Sequence, residues 1–248
     1  MPHPFEIREE ITVDATPEQV WAAIATGPGV DSWFMGHSQF EPREGGRTTM
    51  EMPGWSAEST ITAWEPGRHL AYRGDENPDG TFMAFEYLIE ARSGGSTSIR
   101  FVHSGALGDD WEDEYDALTQ GDRMYLEKLG VYVTHFAGRS STYNLFLLGE
   151  SGVDGDRLWA AYRTALGLAE TVVVGDKAQV AVEGIAPADG VVEFARLPHW
   201  VGVRTEDGFY SFMYAQRTPV IEYSAFDAGV DGARIEQAWK SWLATALV

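Results

Sequence analysis

Cysteine is absent from this sequence of 248 residues. Disulfide bonds, thiolate catalysis and cysteine-ligated zinc sites are therefore excluded. Basic residues are also scarce, because 18 lysines and arginines stand against 38 aspartates and glutamates, which makes the formal net charge −20. A surface of this charge repels nucleic acid and anionic membranes, so we expect no nucleic-acid partner. It favours solubility and could attract cationic ligands weakly.

Long hydrophobic runs are absent as well. No segment approaches the ~20 apolar residues that a bilayer-spanning helix needs, and residues 1–6 lack the basic and apolar regions of a signal peptide. We therefore expect a cytoplasmic protein that does not insert into membranes.

Motifs that bind metals or phosphates are missing too. The sequence has no HExxH, no Walker-type loop, no GxGxxG and no segment with the spacing of a nucleophile elbow. Its six histidines are scattered without ligand spacing. The sequence therefore predicts neither a metal nor an organic cofactor.

Aromatic residues are abundant instead. They make up 12% of the chain, and 44% of all residues are hydrophobic, which is enough to bury a large core. Large aromatic side chains build cores, but they also line pockets for apolar ligands. This composition is compatible with a globular chain of one to two domains.

Local signals predict a mixed α and β chain. Residues 5–14 alternate as an exposed strand, and Thr16 caps a helix with Pro17 at its first position and Gln19 completing a capping box. Gly27-Pro28-Gly29 is expected to stop this helix, with a further short helical turn reaching Trp33 and Phe34. Residues 38–106 read as successive strands, and residues 109–138 as a long helix with acidic first turns.

Short connections favour an antiparallel meander in the strand region. The turn signals are Glu44-Gly45-Gly46, Glu65-Pro66-Gly67, Asp79-Gly80 and Ser93-Gly94-Gly95. The fold class we predict is α+β: a curved antiparallel sheet wrapped around a long C-terminal helix. A cavity between the sheet and the helix is the usual consequence.

The second half of the chain repeats the first in the same order. The matched segments are Val20-Trp21-Ala22-Ala23 with Leu158-Trp159-Ala160-Ala161, Pro66 with Pro198, His69-Leu70-Ala71-Tyr72-Arg73 with Trp200-Val201-Gly202-Val203-Arg204, and Asp79-Gly80-Thr81-Phe82 with Asp207-Gly208-Phe209-Tyr210. Each half ends in an amphipathic helix, at 118–136 and at 230–246, the latter with Ile235, Ala238, Trp239, Trp242, Leu243 and Leu247 at helical spacing.

This repeat predicts two units packed as a pseudo-dimer. One is a domain at 1–139, and the other is a shorter, degenerate copy at 140–248. The stretch between 167 and 190 lacks the Gly-Gly turn of the first unit. The first unit is therefore expected to hold the working cavity, and the second to support it.

The first unit resembles the START-like superfamily, also called SRPBCC or helix-grip proteins. The residues that carry the resemblance are Ala15-Thr16-Pro17-Glu18-Gln19-Val20-Trp21, Trp33-Phe34, Pro42-Arg43-Glu44-Gly45-Gly46-Arg47, Trp64-Glu65-Pro66-Gly67-Arg68-His69-Leu70 and Phe101-Val102-His103-Ser104-Gly105. Within the superfamily the chain is similar to bacterial homologues of the activator of the heat-shock ATPase, a name that does not imply that activity. The resemblance implies a deep cavity for lipids, polyketides or other apolar molecules.

Candidate ligand-binding residues follow from strand parity, because alternate residues of a strand share one face. Met83, Phe85, Tyr87 and Ile89 share a face, as do Ile99, Phe101 and His103. The full candidate set is Trp33, Phe34, Met50, Met52, Trp55, Tyr72, Phe85, Tyr87, Phe101, His103, Trp111, Tyr115 and Leu118. Trp55 and Trp111 are expected at the mouth of the cavity; the alternative for most of the set is simple core packing.

His103 is the one candidate for catalysis, and it is a weak one. As a general base it needs a partner carboxylate, and neither Glu51 nor Glu86 can be assigned to it from the sequence. A structural histidine with satisfied hydrogen bonds is the alternative that we favour.

Three functions remain open at this stage. The first is binding of an apolar, polycyclic or polyketide-like molecule, for sequestration, transport or self-resistance in an antibiotic producer. The second is a polyketide aromatase or cyclase that needs few catalytic residues. The third is an acidic module that docks a basic protein. We expect a monomer or weak homodimer that binds a small molecule, and we favour binding over catalysis.

Overall fold

The computed structural model describes residues 1–52 and 54–246, so the predicted helical position of Leu247 lies outside the described residues. The chain divides into two compact units, Met1–Ser140 and Ser141–Val248. In the described residues, no helix combines the length and the apolar character that crossing a bilayer requires.

The first unit contains a seven-stranded antiparallel sheet and three helices. Its elements are β1 (His3–Val13), α1 (Pro17–Ile24), α2 (Gly27–Val30), β2 (His37–Phe40), β3 (Arg47–Met52), β4 (Trp55–Glu65), β5 (His69–Gly74), β6 (Phe82–Ala91), β7 (Thr97–Leu107) and α3 (Trp111–His135). The strand order is β1-β7-β6-β5-β4-β3-β2, so the meander pairs consecutively and β1 joins it beside the last strand. The α+β helix-grip arrangement is confirmed.

The start of α1 follows the predicted capping box. The Gln19 backbone N–H donates to Thr16 Oγ1 at 3.3 Å, and the Thr16 N–H donates to Gln19 Oε1 at 2.8 Å. The backbone N–H of each of these two residues therefore has the side chain of the other as its acceptor.

Gly27-Pro28-Gly29 does more than end this helix, which corrects our expectation. These residues form α2, and Thr26 caps it by accepting a hydrogen bond from the Gly29 N–H at 3.1 Å. A Cβ atom on Gly27 would lie 2.2 Å from the Ser38 carbonyl oxygen, and one on Gly29 would lie 2.0 Å from that of Ala22. Only glycine fits such close backbone approaches.

Among its described residues, the second unit has the same topology with one strand and one helix fewer. Its elements are β8 (Tyr143–Leu148), α4 (Gly155–Leu166), β9 (Lys177–Val180), β10 (Ala188–Arg196), β11 (Trp200–Thr205), β12 (Gly208–Ala215), β13 (Thr218–Ala225) and α5 (Gly232–Ala246). The strand order is β8-β13-β12-β11-β10-β9, with the first strand again beside the last.

Strand register confirms the internal repeat in β5 and β11 and corrects one matched segment: Tyr72 pairs with Phe85 and Val203 with Tyr210, so Tyr210 corresponds to Phe85 and not to Phe82. Arg73 pairs with Thr60 across β4 and β5, just before a bulge that follows Ile61, and Arg204 pairs with Val191 just before a bulge that follows Val192. The backbone N–H groups of Ile61 and Val192 each donate across to the turn before the preceding strand, to Gly46 and Asp176 respectively. Both units therefore carry a β-bulge at the corresponding position, which makes the bulge part of the repeated fold.

The second unit lacks the Gly-Gly pair, as its sequence indicated, but it keeps the turn that this pair forms in the first unit. The N–H of Gly45 donates to the carbonyl of Ile61, and the N–H of Gly175 donates to that of Val192. Gly45 and Gly175 both adopt positive φ, at 74° and 92°. The second copy therefore keeps the first glycine and replaces the second with Asp176.

The interior of the second unit is filled by aromatic side chains. Trp239 of α5 packs against Phe212 at a ring distance of 5.3 Å, and Tyr162 of α4 lies 5.4 Å from Trp242 in a stacked arrangement. Tyr162, Phe212 and Trp239 are fully buried. The space that a sheet and a helix enclose is here occupied by the protein's own rings.

The capping box predicts a measurable contribution to stability. Thr16→Ala should lower the free energy of unfolding by about 1 kcal/mol, because one helix-terminal N–H loses its acceptor. Urea denaturation followed by circular dichroism measures the change. Thr16→Ser is the matched control, and a loss in Thr16→Ser as large as that in Thr16→Ala would contradict this account.

Candidate functional site

A cavity of about 690 Å³ lies within the first unit. Its walls come from the inner face of the β2–β7 sheet, from α2 and the segment after it, and from one side of α3. The lining residues are Ile24, Val30, Trp33, Phe34, Ser38, Phe40, Thr48, Thr49, Met50, Trp55, Ser56, Ala57, Glu58, Ser59, Tyr72, Gly74, Asp75, Asn77, Asp79, Thr81, Phe82, Met83, Phe85, Tyr87, Phe101, Ala106, Leu107, Gly108, Glu114, Asp122, Tyr125 and Leu126.

Aromatic rings form a continuous wall on the sheet side. Tyr72 lies 5.2 Å from Phe85, and Tyr87 lies 4.9 Å from Phe101. Their positions follow from register, because Tyr72 pairs with Phe85 across β5 and β6, and Tyr87 pairs with Phe101 across β6 and β7. Directly paired residues point to the same face of a sheet.

A second aromatic pair stands on the helical side. Phe34, in the segment after α2, lies 4.3 Å from Tyr125 of α3. Aromatic ring faces of this kind bind flat apolar molecules by stacking, and they also attract cations.

Two tyrosine hydroxyls bring polarity into this wall. Burial raises the pKa of Tyr72 to about 12, and the Asp122 charge adds to this rise, whereas a hydrogen bond from Tyr87 opposes it. Burial also raises the pKa of Tyr87 well above its usual value, with the Tyr72 hydroxyl and Asp122 contributing. Both hydroxyls therefore remain protonated at neutral pH and can donate a hydrogen bond.

His103 has the carboxylate partner that the sequence could not supply, and the partner is Asp122 of α3. His103 Nδ1 lies 2.8 Å from Asp122 Oδ2, and His103 Nε2 lies 3.3 Å from Met83 Sδ. The imidazole stacks on Phe85 at 4.3 Å and is 2% exposed. Glu86 is on the opposite face, where it accepts from His69 at 2.8 Å.

The mouth of the cavity is polar and acidic. Its exposed lining residues are Trp55, Ser56, Glu58, Asp75, Asn77, Asp79 and Glu114. Trp55, the first residue of β4, is 52% exposed, as expected for a lip residue. Apolar surface thus lies deep in the cavity and charge lies at its rim.

The structure brings eight of the thirteen candidate residues to the cavity wall. They are Trp33, Phe34, Met50, Trp55, Tyr72, Phe85, Tyr87 and Phe101. Their contact with a ligand stays a prediction.

The placement of the other five candidates is corrected. Trp111, Tyr115 and Leu118 pack against the small core of Phe5, Ile7 and Leu107, which belongs to β1 and β7. Trp111 stacks on His3 at 5.3 Å. His103 lies behind Met83 and Phe85, and Met52 stands at the β3–β4 hairpin, so neither is on the cavity wall.

Sequence reasoning missed the α3 residues that do line the cavity, which are Glu114, Asp122, Tyr125 and Leu126. At roughly 100° per residue, these positions fall within the same arc of about 120° around the helix axis as Trp111, Tyr115 and Leu118. Helical spacing therefore does not separate the residues that line the cavity from those that pack beside it. In the described residues, no group of three histidine, aspartate or glutamate side chains is arranged to hold a metal.

Comparison with known proteins finds one family model that matches most of the first unit. Residues 4–121 match the family described as polyketide cyclase / dehydrase and lipid transport. This match confirms the resemblance of the first unit to the START-like superfamily. No curated protein sequence matches the chain.

Several solved structures are similar to the chain. The di-domain ARO/CYC BexL from the BE-7585A biosynthetic pathway is 14% identical, with 98% of this chain and 97% of that chain covered and a TM-score of 0.48. Aha1 from Colwellia psychrerythraea is 20% identical over 52% of this chain and 96% of that one, at a TM-score of 0.45. BH1534 from Bacillus halodurans is 22% identical over 54% and 99%, at 0.46. TM-scores below 0.5 carry no functional argument.

The raised pKa of Tyr72 predicts a loss of stability in alkali. Between pH 10 and pH 12 the unfolded chain releases the Tyr72 proton and the folded protein keeps it, so the free energy of unfolding falls as the pH rises. Two pKa units correspond to about 2–3 kcal/mol. Tyr72→Phe should lose correspondingly less stability across this window than the unsubstituted chain, measured by urea denaturation. Tyr115→Phe is the control, and equal slopes for Tyr72→Phe and the unsubstituted chain would refute the prediction.

Proposed function

We propose that the START-like first unit binds an apolar, polycyclic or polyketide-like small molecule in its cavity and holds it without converting it. The observation that carries this proposal is the aromatic-lined cavity of about 690 Å³ between the sheet and α3. Small-molecule sites of this kind occupy roughly 300–1,000 Å³ and combine apolar walls with a few polar groups.

The lining chemistry supports a ring system as ligand. Tyr72 and Phe85 offer one aromatic surface, and Phe34 and Tyr125 offer another. Aromatic pairs in stacked or edge arrangements contribute about 0.5–1.5 kcal/mol beyond the area they bury. The family description, which includes lipid transport and polyketide cyclisation, is compatible with such a ligand.

The position of His103 favours binding over catalysis. A general base must come within about 2.6–3.2 Å of the proton that it removes. Nε2 of His103 faces the sulfur of Met83, and Nδ1 is engaged by Asp122. Both ring nitrogens are therefore occupied by the protein, as in a structural histidine.

An aromatase- or cyclase-like enzyme is the second candidate, and the His103–Asp122 pair is the observation that favours it. Asp122 lines the cavity while it contacts His103, so a carboxylate–imidazole pair borders the space where a ligand would lie. Conversion of a polyketide by this route requires Met83 to move away from Nε2. Turnover that is lost in His103→Ala would establish this candidate.

The second unit supports the first in this proposal. Its interior is filled by Tyr162, Phe212 and Trp239, each fully buried. Sequestration for self-resistance, in which a producer binds its own toxic product, is one form that the function could take.

Blocking the cavity tests the proposal with 1-pyrenemethanol, a neutral polycyclic probe. Ala57 of β4 lines the cavity, so Ala57→Trp should fill it and weaken binding at least tenfold. Fluorescence titration measures the affinity, with energy transfer from Trp33 and Trp55 as the signal. In the unsubstituted chain, probe at a hundredfold excess over its Kd should stabilise the fold by about 2.7 kcal/mol.

Thr12→Trp is the matched control, because Thr12 is exposed on β1 outside the cavity. It should bind the probe like the unsubstituted chain. Absence of saturable binding, or equal affinity in Ala57→Trp and Thr12→Trp, would refute the proposed function.

A further inference from the structure

The charged side chains around the cavity have one sign. Among the described residues that line it, five are acidic and none is lysine, arginine or histidine. The five are Glu58, Asp75, Asp79, Glu114 and Asp122. A cavity with apolar walls and charges of one sign focuses its electric field on whatever enters.

Arg47 compensates two of these carboxylates from outside the lining. Its guanidinium contacts Glu58 and lies 3.5 Å from Asp75. Of the remaining three, Asp122 contacts His103, which offsets its charge only when the imidazole is protonated, and Asp79 and Glu114 add their negative charge at the rim. Hydrogen bonds from the backbone and hydroxyl of Thr81 lower the pKa of Asp79, so this carboxylate is ionised at neutral pH.

Asp122 is the carboxylate that reaches into the interior. Its side chain is 13% exposed, whereas that of Asp75 is 80% exposed. One oxygen, Oδ2, contacts His103, and the carboxylate acts on the hydroxyls of Tyr72 and Tyr87. The negative charge of a buried carboxylate requires a compensating partner, and a cation bound in the cavity would add to that compensation.

The aromatic walls are a second and independent feature that suits a cation. The Tyr72–Phe85 pair stands on the sheet side of the cavity, and the Phe34–Tyr125 pair on the helical side, where the Lys128 ammonium lies 4.7 Å from the Tyr125 ring. Aromatic faces attract cations through their quadrupole, and the contact of Lys128 shows that Tyr125 already does so. A carboxylate flanked by ring faces recognises a protonated amine and repels a carboxylate.

We infer that the ligand of this cavity is a polycyclic molecule bearing a protonated amine, with Asp122 as its counter-ion. Fatty acids and other carboxylic acids are excluded by the same charges. The inference rests on the proposed function, since it names the ligand class of that cavity.

Three probes of one size separate charge from shape. They are 1-pyrenemethylamine, 1-pyrenemethanol and 1-pyrenecarboxylic acid, which are cationic, neutral and anionic at neutral pH. The amine should bind at least tenfold more tightly than the alcohol, and the acid at least tenfold more weakly. The preference for the amine should decrease as ionic strength rises, because salt screens the rim carboxylates.

Asp122→Asn removes the charge while it keeps the size of the side chain. It should reduce the amine's advantage over the alcohol about tenfold, and saturable binding of the alcohol by this variant shows that it is folded. Asp116→Asn, an exposed position on α3 outside the cavity lining, is the control for net charge and should keep the advantage.

A variant that avoids the His103 contact is Asp79→Asn combined with Glu114→Gln at the rim. It should reduce the amine's advantage in part even where Asp122→Asn fails to fold. Equal binding of amine and alcohol by the unsubstituted chain, or tight binding of the acid, would overturn this inference while the proposed function stands. Failure of all three probes would overturn both.

Discussion

Each unit depends on the antiparallel pairing between its first and last strands. In the first unit, β1 and β7 pair without interruption from His3 with Leu107 to Val13 with Thr97. In the second, β8 and β13 pair from Tyr143 with Ala225 to Leu148 with Val220. Each pairing joins residues that are almost a whole unit apart in sequence. It places the first strand of the unit beside the last strand, from which the chain continues into the C-terminal helix of that unit. Without them, α3 would have no complete sheet face on which to bury Leu126 and Leu129.

This shared frame yields a cavity in one unit and a filled core in the other, because the side chains on equivalent positions differ in size. The register aligns Phe85 with Tyr210 and His103 with Tyr223. Over these rings the last helix of the second unit places Trp239, which reaches Tyr210 and Phe212 at 6.2 and 5.3 Å. In the first unit, α3 places Asp122 against His103 instead. The indole rings of Trp239 and Trp242 thus fill the interior of the second unit, whereas Asp122 brings a carboxylate to the cavity wall of the first.

Much of the architecture could be predicted from local signals. The capping box at Thr16, the four glycine-containing turns and the alternation of strand residues each depend on neighbours in sequence, and the repeat aligned Arg73 with Arg204 at the register the structure shows. The sheet face of the cavity followed as well, since Tyr72, Phe85, Tyr87 and Phe101 share one side by parity. Parity is the alternation of side chains along a single strand, so it can be assigned from the sequence without knowledge of the tertiary structure.

The helix face of the cavity could not be assigned in the same way. Trp111, Tyr115 and Leu118 are the apolar residues near the start of α3, and they pack against the core of Phe5, Ile7 and Leu107, whereas Glu114 and Asp122 on the same face of the helix line the cavity. The sequence by itself determined the elements, their order and the duplication, because these depend on short-range periodicity and turn chemistry. The tertiary structure decided where α3 lies on the sheet, and with it the pairing of His103 with Asp122 and the sign of the charge that a ligand meets. The position of a helix on a sheet is set by packing against all of its neighbours at once, which no local pattern records.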